Sequence, residues 1–140
     1  MKGEVAEGSA GTGDPTVDSW PMFGHDLRHT RFSPSSAPHA PNLLWEYGPF
    51  PNTVISSPAI ADGRVFIGVP LGEVICLNES DGTLLWSYTI AKEPLGPEAG
   101  ISSSPAVVDG KVFIGSEEGR VCCLNATNGA LIWDYTTDEE

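Results

Sequence analysis

The sequence predicts an all-β chain built from the blades of a β-propeller, and an internal repeat is the first observation behind that prediction. Segment 101–137 superposes without a gap on segment 54–90, 47 residues earlier, and more than half of the paired residues are identical. The second observation is the absence of the apolar spacing of an amphipathic helix; each repeat instead contains four short stretches rich in β-branched and aromatic residues. A repeat of this length and composition is typical of a propeller blade.

Turn residues divide each repeat into its four strands. Gly63 and Gly110 each follow an aspartate, and this dipeptide favours a two-residue hairpin turn because glycine adopts positive φ freely. Gly82 and Gly129 stand at the same place in the two repeats and predict the turn before the fourth strand. Each repeat is therefore predicted to be a four-stranded antiparallel meander.

The central strands of each repeat are apolar without interruption, as at 65–67 and 121–124. Because successive side chains of a strand point to opposite faces, such runs indicate burial on both faces of the sheet. Sheets stacked face to face around an axis provide that burial. Pro58 and Pro105 fit an edge strand lining a central channel, because proline lacks the N–H that a ladder needs. A parallel β-helix is disfavoured, since it would need shorter repeats without hairpin turns.

Three tryptophans recur at one position of the pattern Leu-x-Trp-x-Tyr: Trp45, Trp86 and Trp133. At a fixed place in the outermost strand, they are predicted to be packing keys between neighbouring blades rather than a platform on which a ligand stacks. The first copy of the pattern predicts an extra outer strand at 43–48, ahead of the two complete blades.

The predicted domain organisation is a flexible tail or linker at 1–19 followed by a partial propeller at 20–140. The propeller part comprises the outer strand, a blade at 54–90 and a second blade at 101–137. Because closed propellers have about four to eight blades, we expect the chain to be part of a larger propeller, with the remaining blades as its partners. Assembly of several copies of the chain into a ring is the alternative, which the surplus outer strand disfavours.

Charge excludes two classes of partner. The chain has 19 acidic and 7 basic residues and a net charge of −12. Nucleic acids and anionic membranes both require clustered positive charge, so neither is expected to bind. The first 19 residues contain no apolar core of signal-peptide length and no segment approaches a membrane span, so we expect no signal peptide in this chain and no membrane insertion.

His25 and His29, with Asp26 beside the first, are the candidate metal ligands of the sequence. Their spacing would place both imidazoles on one side of a helix, but Pro21 and Gly24 indicate irregular structure. We therefore expect these residues to fix the N-terminal segment by hydrogen bonds, and we predict neither a metal site nor catalytic residues.

A family resemblance rests on Trp-Pro-Met-Phe-x-His-Asp-x-x-His-Thr at 20–30, on Leu-x-Trp-x-Tyr, and on two blades that open with Ser-Ser-Pro-Ala. From Trp20 to Thr137 the chain resembles the PQQ-like β-propeller repeat proteins. That family includes quinoprotein alcohol dehydrogenases, the β-barrel-assembly lipoprotein of bacterial outer membranes, and archaeal and bacterial surface proteins. Arg31 departs from the pattern, because such proteins often have glycine there.

The resemblance implies a non-enzymatic interaction scaffold without a cofactor, from an extracellular, cell-surface or periplasmic protein. The alternative is a fragment of a PQQ-dependent alcohol dehydrogenase, with PQQ and calcium as cofactors. No cofactor-binding residue of those enzymes maps onto a position here, so the cofactor-binding residues are unknown.

Adjacent cysteines invite a comparison with the vicinal disulfide that some PQQ-dependent alcohol dehydrogenases carry near the quinone. Cys122 and Cys123 fall in the middle of a predicted strand, where neighbouring side chains point apart. With Cys76 the chain has three cysteines, an odd number that favours free thiols in buried apolar positions.

Overall fold

The computed structural model of the chain describes residues 19–34, 40, 42–50, 54–90 and 100–137. The predicted tail, apart from Ser19, lies outside the described residues, as do residues 91–99 of the connection between the two repeats. In the described part of the chain, no helix reaches the length and apolar character that a membrane span needs.

Each repeat forms one four-stranded antiparallel sheet whose strands are neighbours in chain order. Blade 1 consists of β1 (Ala59–Ala61), β2 (Arg64–Val69), β3 (Glu73–Asn78) and β4 (Leu84–Thr89). Blade 2 consists of β5 (Ala106–Val108), β6 (Lys111–Gly115), β7 (Arg120–Asn125) and β8 (Leu131–Thr136). A short 3-10 turn at Pro70–Gly72 joins β2 to β3 in blade 1. The predicted all-β fold of two four-stranded antiparallel blades is confirmed.

The two blades share their register as well as their strands. Ala59 pairs with Phe66 in blade 1, and Ala106 pairs with Phe113 in blade 2. The pairing of the third and fourth strands shifts after Cys76 and after Cys123, the same repeat position. Because turn chemistry and side-chain alternation are the same in both copies, the same bulge follows in each.

The first hairpin of each blade has the backbone of a primed turn. Asp62 and Gly63 have φ of 52° and 70°, and Asp109 and Gly110 have φ of 49° and 68°. A type I′ turn needs positive φ at both central residues, which glycine accepts without strain and aspartate tolerates.

Stacking of the two sheets forms the main core. We call the side of a blade that carries its outer-strand tryptophan the front face, and the opposite side the rear face. The front face of blade 1 presents Phe66, Val74, Cys76 and Trp86, and the rear face of blade 2 presents Val112, Ile114, Cys122 and Leu124. All eight belong to one cluster of buried side chains. Neighbouring residues of β3, Ile75 and Leu77, point the other way and join a second cluster on the rear face of blade 1.

The rear face of blade 1 is covered by a segment without strand structure rather than by a sheet. Trp45 and Phe50 pack against Val65, Ile67 and the buried side chains of this face. The outer strand predicted at 43–48 is not present, because residues 42–50 have no ladder partner among the described strands. Backbone extension alone does not make a strand when no neighbouring edge receives its hydrogen bonds.

The segment that begins at Trp20 runs along the inner strands of both blades. Trp20 and Ile60 exchange two backbone hydrogen bonds of 2.8 Å, which form an isolated antiparallel bridge to β1. The next carbonyl, that of Pro21, accepts a hydrogen bond of 2.7 Å from the N–H of Val107 in β5. The segment thereby satisfies backbone groups at both inner edges, which would otherwise be available for pairing.

Candidate functional site

Trp86 docks from blade 1 onto the last hairpin turn of blade 2. Its indole ring lies over Gly129, where an added Cβ would come within 2.6 Å of the ring, and its Nε1 donates a 3.0 Å hydrogen bond to the carbonyl of Ala126. Gly129 also has φ of 71°. Glycine is therefore required at this position for two reasons, the positive φ and the close approach of the ring. We call this glycine and the carbonyl three residues before it a tryptophan socket.

Trp45 occupies the equivalent socket on blade 1. A Cβ added at Gly82 would lie 2.6 Å from its ring, and its Nε1 donates a 2.8 Å hydrogen bond to the carbonyl of Glu79. Gly82 has φ of 70°, matching the glycine of the other socket. The two sockets stand at the same repeat position, so the Trp45 segment covers blade 1 at the place where a preceding blade's tryptophan would lie.

Trp133 has no socket among the described residues. Its side chain is 45% exposed, whereas Trp86, at the same repeat position, is 8% exposed. On the described front face of blade 2 its ring contacts Phe113, with centroids 6.0 Å apart. Val121 and Tyr135 are exposed beside it. The front face of blade 2 is thus a contiguous apolar surface, and surfaces of this kind mark interaction sites. It is the candidate functional site.

The structural keys predicted from the sequence divide into two groups. Trp45, Trp86, Gly82 and Gly129 form the two sockets. Gly63 and Gly110 shape the first hairpins, and a Cβ added at either would meet no atom within 4 Å. These two glycines serve the turn backbone, and their carbonyls accept hydrogen bonds of 3.0 and 2.9 Å from the N–H groups of Glu79 and Ala126, the residues that supply the socket carbonyls.

Arg120 fastens blade 2 to blade 1, a role that the sequence reasoning missed. Its guanidinium donates hydrogen bonds to the carbonyl of Ile90, at the end of blade 1, and to the carboxylate of Asp134 on the neighbouring strand. Arg120 is buried, and the hydrogen bond to Asp134 raises the pKa of the guanidinium. The repeat equivalents in blade 1 are Glu73 and Ser87. The change from a glutamate in blade 1 to an arginine in blade 2 at this repeat position is the sequence signal that could have indicated the role of Arg120.

Serines at the start of each repeat tie the incoming chain to the second strand. Ser103 Oγ donates to the carbonyl of Gly115 at 2.6 Å and accepts from its N–H at 3.0 Å. Ser56 Oγ accepts from the N–H of Gly68 at 3.2 Å in blade 1. The repeated Ser-Ser-Pro motif could have indicated this role, because small hydroxyl side chains readily bond nearby backbone.

The two histidines of the N-terminal segment form part of a folded loop. Asp26 accepts hydrogen bonds from the hydroxyl and N–H of Thr30 and from the N–H of Arg28, and these bonds lower the pKa of Asp26 to about 2. His25 meets the ring of Trp20 edge-on, with centroids 4.7 Å apart. His29 packs against Gly24. Within the described ranges, no three His, Cys, Asp or Glu side chains are grouped as metal ligands.

Arg31, where the family resemblance leads one to expect glycine, has φ of 54°. Positive φ is the region that favours glycine, so the local conformation matches the family pattern although the residue does not.

The three cysteines, Cys76, Cys122 and Cys123, are buried. Cys122 lies in the core between the blades, and Cys123, the next residue of β7, pairs in register with Phe113 and Trp133 on the other face. Burial raises the pKa of Cys76 to about 11 and also raises the pKa of Cys123. These thiols therefore remain protonated at neutral pH and behave as apolar side chains.

Comparison with known proteins gives a family and a fold. A sequence model of the family described as Outer membrane protein assembly factor BamB matches residues 41–140. A comparison with curated proteins finds no match.

Solved propeller structures superpose on the chain. BamB from Moraxella catarrhalis is 22% identical with a TM-score of 0.56, and the match covers 67% of this chain and 27% of that one. The quinohemoprotein alcohol dehydrogenase from Comamonas testosteroni is 21% identical with a TM-score of 0.69, over 87% of this chain and 20% of that one. A second enzyme of that kind, from Pseudomonas putida HK5, is 23% identical with a TM-score of 0.70, over 88% and 19%.

The chain thus spans about a quarter or less of the length of each of these structures. Likeness at this identity concerns the fold, which is that of β-propeller blades. The family match extends over most of the sequence, from residue 41 to residue 140. The chain belongs to the PQQ-like β-propeller repeat family of the outer membrane protein assembly factor BamB.

Proposed function

We propose that the chain is a non-enzymatic propeller segment that serves as an interaction scaffold in an exported or cell-surface protein. The observation that carries this proposal is the open front face of blade 2, where Val121, Trp133 and Tyr135 are exposed, whereas blade 2 covers the same repeat positions of blade 1. A rigid sheet that presents a large aromatic side chain offers area and shape for a partner at low entropic cost. The partner that this face suits is a complementary sheet, either in the remaining blades of a propeller or in another copy of the chain.

Export is supported by membership in a family whose description names outer membrane assembly. Net charge supports the proposed class of partner, because a chain at −12 presents no field that would attract nucleic acid. The scaffold needs no cofactor.

The test introduces a charge into the open face and follows binding of an apolar dye, 8-anilinonaphthalene-1-sulfonate, to the full chain. Trp133→Glu is expected to keep the circular dichroism of the parent and to lose most of the dye fluorescence, because the apolar surface is interrupted. Leu27→Glu is the matched control, since Leu27 is 90% exposed and lies in the N-terminal loop, outside the strands of blade 2. Unchanged dye binding in Trp133→Glu would show that the face is not an accessible binding surface.

A fragment of a PQQ-dependent alcohol dehydrogenase is the second candidate, favoured by the superposition on two quinohemoprotein alcohol dehydrogenases over 87% and 88% of the chain. Calcium prefers several carboxylate and carbonyl oxygens, and the described residues bring no three acidic side chains together. The chain spans about a fifth of each of those enzymes, and we derive no reaction step. Titration with PQQ and Ca²⁺, followed by dye reduction with alcohols, separates the candidates, because turnover would contradict the scaffold proposal.

A further inference from the structure

We propose that the front face of blade 2 docks onto the rear face of blade 1 of a second copy of the chain, and that Trp45 blocks this docking within a single molecule. The inference rests on the proposed function, since it takes the front face of blade 2 to be an interaction surface. It names the partner as another copy and assigns Trp45 the role of an internal competitor.

The two outer faces of the chain repeat the two faces that meet between its blades. The front face of blade 1 meets the rear face of blade 2 in the main core. The same repeat positions recur on the two outer surfaces, the front of blade 2 and the rear of blade 1. These recurring positions are Phe113, Val121, Cys123 and Trp133 on one side, and Val65, Ile67, Ile75 and Leu77 on the other. Two different complementary surfaces on one molecule give a head-to-tail contact.

The socket on blade 1 supplies what Trp133 lacks. Trp86 requires a glycine beneath its ring and a carbonyl for its Nε1, and Gly82 with the carbonyl of Glu79 offers the same pair. Trp133 lies in the same Leu-x-Trp-x-Tyr pattern as Trp86, on the equivalent strand. It therefore has the residue type and strand position that the socket accepts.

Trp45 fills that socket from its own chain. An intramolecular occupant competes at an effective concentration of about millimolar. A second copy at lower concentration is then excluded, and the parent chain is expected to be predominantly monomeric. Residues 42–50 form no strand in the structure, so they can leave the rear face without breaking a ladder.

The head-to-tail contact would lack the arginine that spans the internal interface and is held by an ion pair within blade 2. Arg120 bonds the carbonyl of Ile90 and the carboxylate of Asp134. Glu73 and Ser87 stand at the equivalent positions of blade 1, and the carbonyl equivalent to that of Ile90 belongs to Thr137. The carboxylate of Glu73 would lie near that carbonyl without a donor between them. This second feature also favours the monomer, and it can be reversed by substitution.

The experiment measures molar mass by sedimentation equilibrium over a concentration series of the full chain. Trp45→Ala is expected to shift the population from monomer to head-to-tail oligomers, with association at least about tenfold tighter than in the parent, because tryptophans at interface centres commonly contribute that much. The double variant Trp45→Ala, Trp133→Ala is expected to remain monomeric. Circular dichroism of both variants establishes that blade 1 stays folded.

A second design leaves Trp45 in place. Glu73→Arg with Ser87→Asp transfers the ion pair to the rear face of blade 1 and should also tighten association, again only while Trp133 is present. A synthetic peptide of residues 42–50 should dissociate the oligomers of Trp45→Ala by refilling the socket.

Two outcomes overturn the inference: a folded Trp45→Ala chain that stays monomeric, or oligomers of that variant that persist when Trp133 is also replaced. Neither outcome touches the scaffold proposal, which fails instead through alcohol turnover with PQQ or through unchanged dye binding in Trp133→Glu.

Discussion

Blade 1 and blade 2 carry the same side chains on their front faces in different surroundings. Phe66 and Trp86 are 1% and 8% exposed, and Trp133 is 45% exposed. Register and first-turn geometry agree between the two blades, and the strand bounds differ only in that β2 is one residue longer than β6. The difference shows that a blade can form its strands from its own sequence but cannot bury its front face. Burial comes from the next sheet.

The rear faces differ in a second way. Blade 2 has its rear face against a whole sheet and is fastened by Arg120, whereas blade 1 has its rear face beneath the segment 42–50. A segment buries less apolar area than a sheet and has no strand pairing, so it is the more easily displaced cover.

Replacement of the two equivalent tryptophans tests the comparison most strongly. Trp86→Ala is expected to reduce the free energy of unfolding by about 3–5 kcal/mol, because it leaves a cavity in the main core and an unpaired carbonyl at Ala126. Trp133→Ala is expected to cost about 1 kcal/mol or less, as for other half-exposed positions. Urea denaturation measures both. Equal losses would mean that the front face of blade 2 is as buried in solution as that of blade 1.

Removal of the Arg120–Asp134 ion pair tests the difference between the rear faces of the two blades. Arg120→Ala is expected to cost about 2–3 kcal/mol, because it deletes hydrogen bonds from a charged donor and leaves Asp134 without that guanidinium. Glu73→Ala, the matched change in blade 1, is expected to alter stability by about 0.5 kcal/mol or less. Thermal unfolding of the two variants gives the comparison. A similar loss in both would remove the special role of Arg120.

Substitution of the turn glycines distinguishes the cost of an unfavourable backbone angle from the cost of a steric clash. Gly110→Ala is expected to cost about 1–2 kcal/mol, the penalty for a Cβ at positive φ, because nothing lies within 4 Å of the added atom. Gly129→Ala has the same φ penalty and also pushes against the ring of Trp86, so its loss should be the larger of the two. Denaturant midpoints measure the pair. The reverse order would contradict the socket.

The stability of the chain in acid tests the N-terminal segment, which forms backbone hydrogen bonds to both blades. The pKa of Asp26 is lowered from 3.8 to about 2, first by the hydroxyl of Thr30. A carboxylate with a depressed folded pKa contributes stability above its unfolded pKa, and that contribution is lost as pH falls through the folded value. The parent should therefore lose more stability than Asp26→Asn between pH 3.8 and about 2. Intrinsic tryptophan fluorescence during acid titration of the parent and of Asp26→Asn follows this loss, and identical titrations would refute the role of Asp26.

Local chemistry made the blades predictable. Asp-Gly turns, apolar runs and the repeat itself act within one sheet, and the structure reproduces the strands that they indicate. The tryptophans could be singled out because they recur, but their carbonyl acceptors could not, since any backbone carbonyl looks the same in a sequence. Arg120 escaped notice because a charged residue in a strand is ordinarily exposed, and its partners lie 30 and 14 residues away in sequence.

The sequence by itself determined the four-stranded unit and its repetition, because turn angles and side-chain alternation depend on neighbours along the chain. The tertiary structure decided which copies of that unit are covered and by what. It placed Trp86 in a socket and left Trp133 open, and it kept residues 43–48 out of any strand. Those outcomes depend on which surfaces meet in space, and the same residue at a repeat position cannot encode a difference between the two copies.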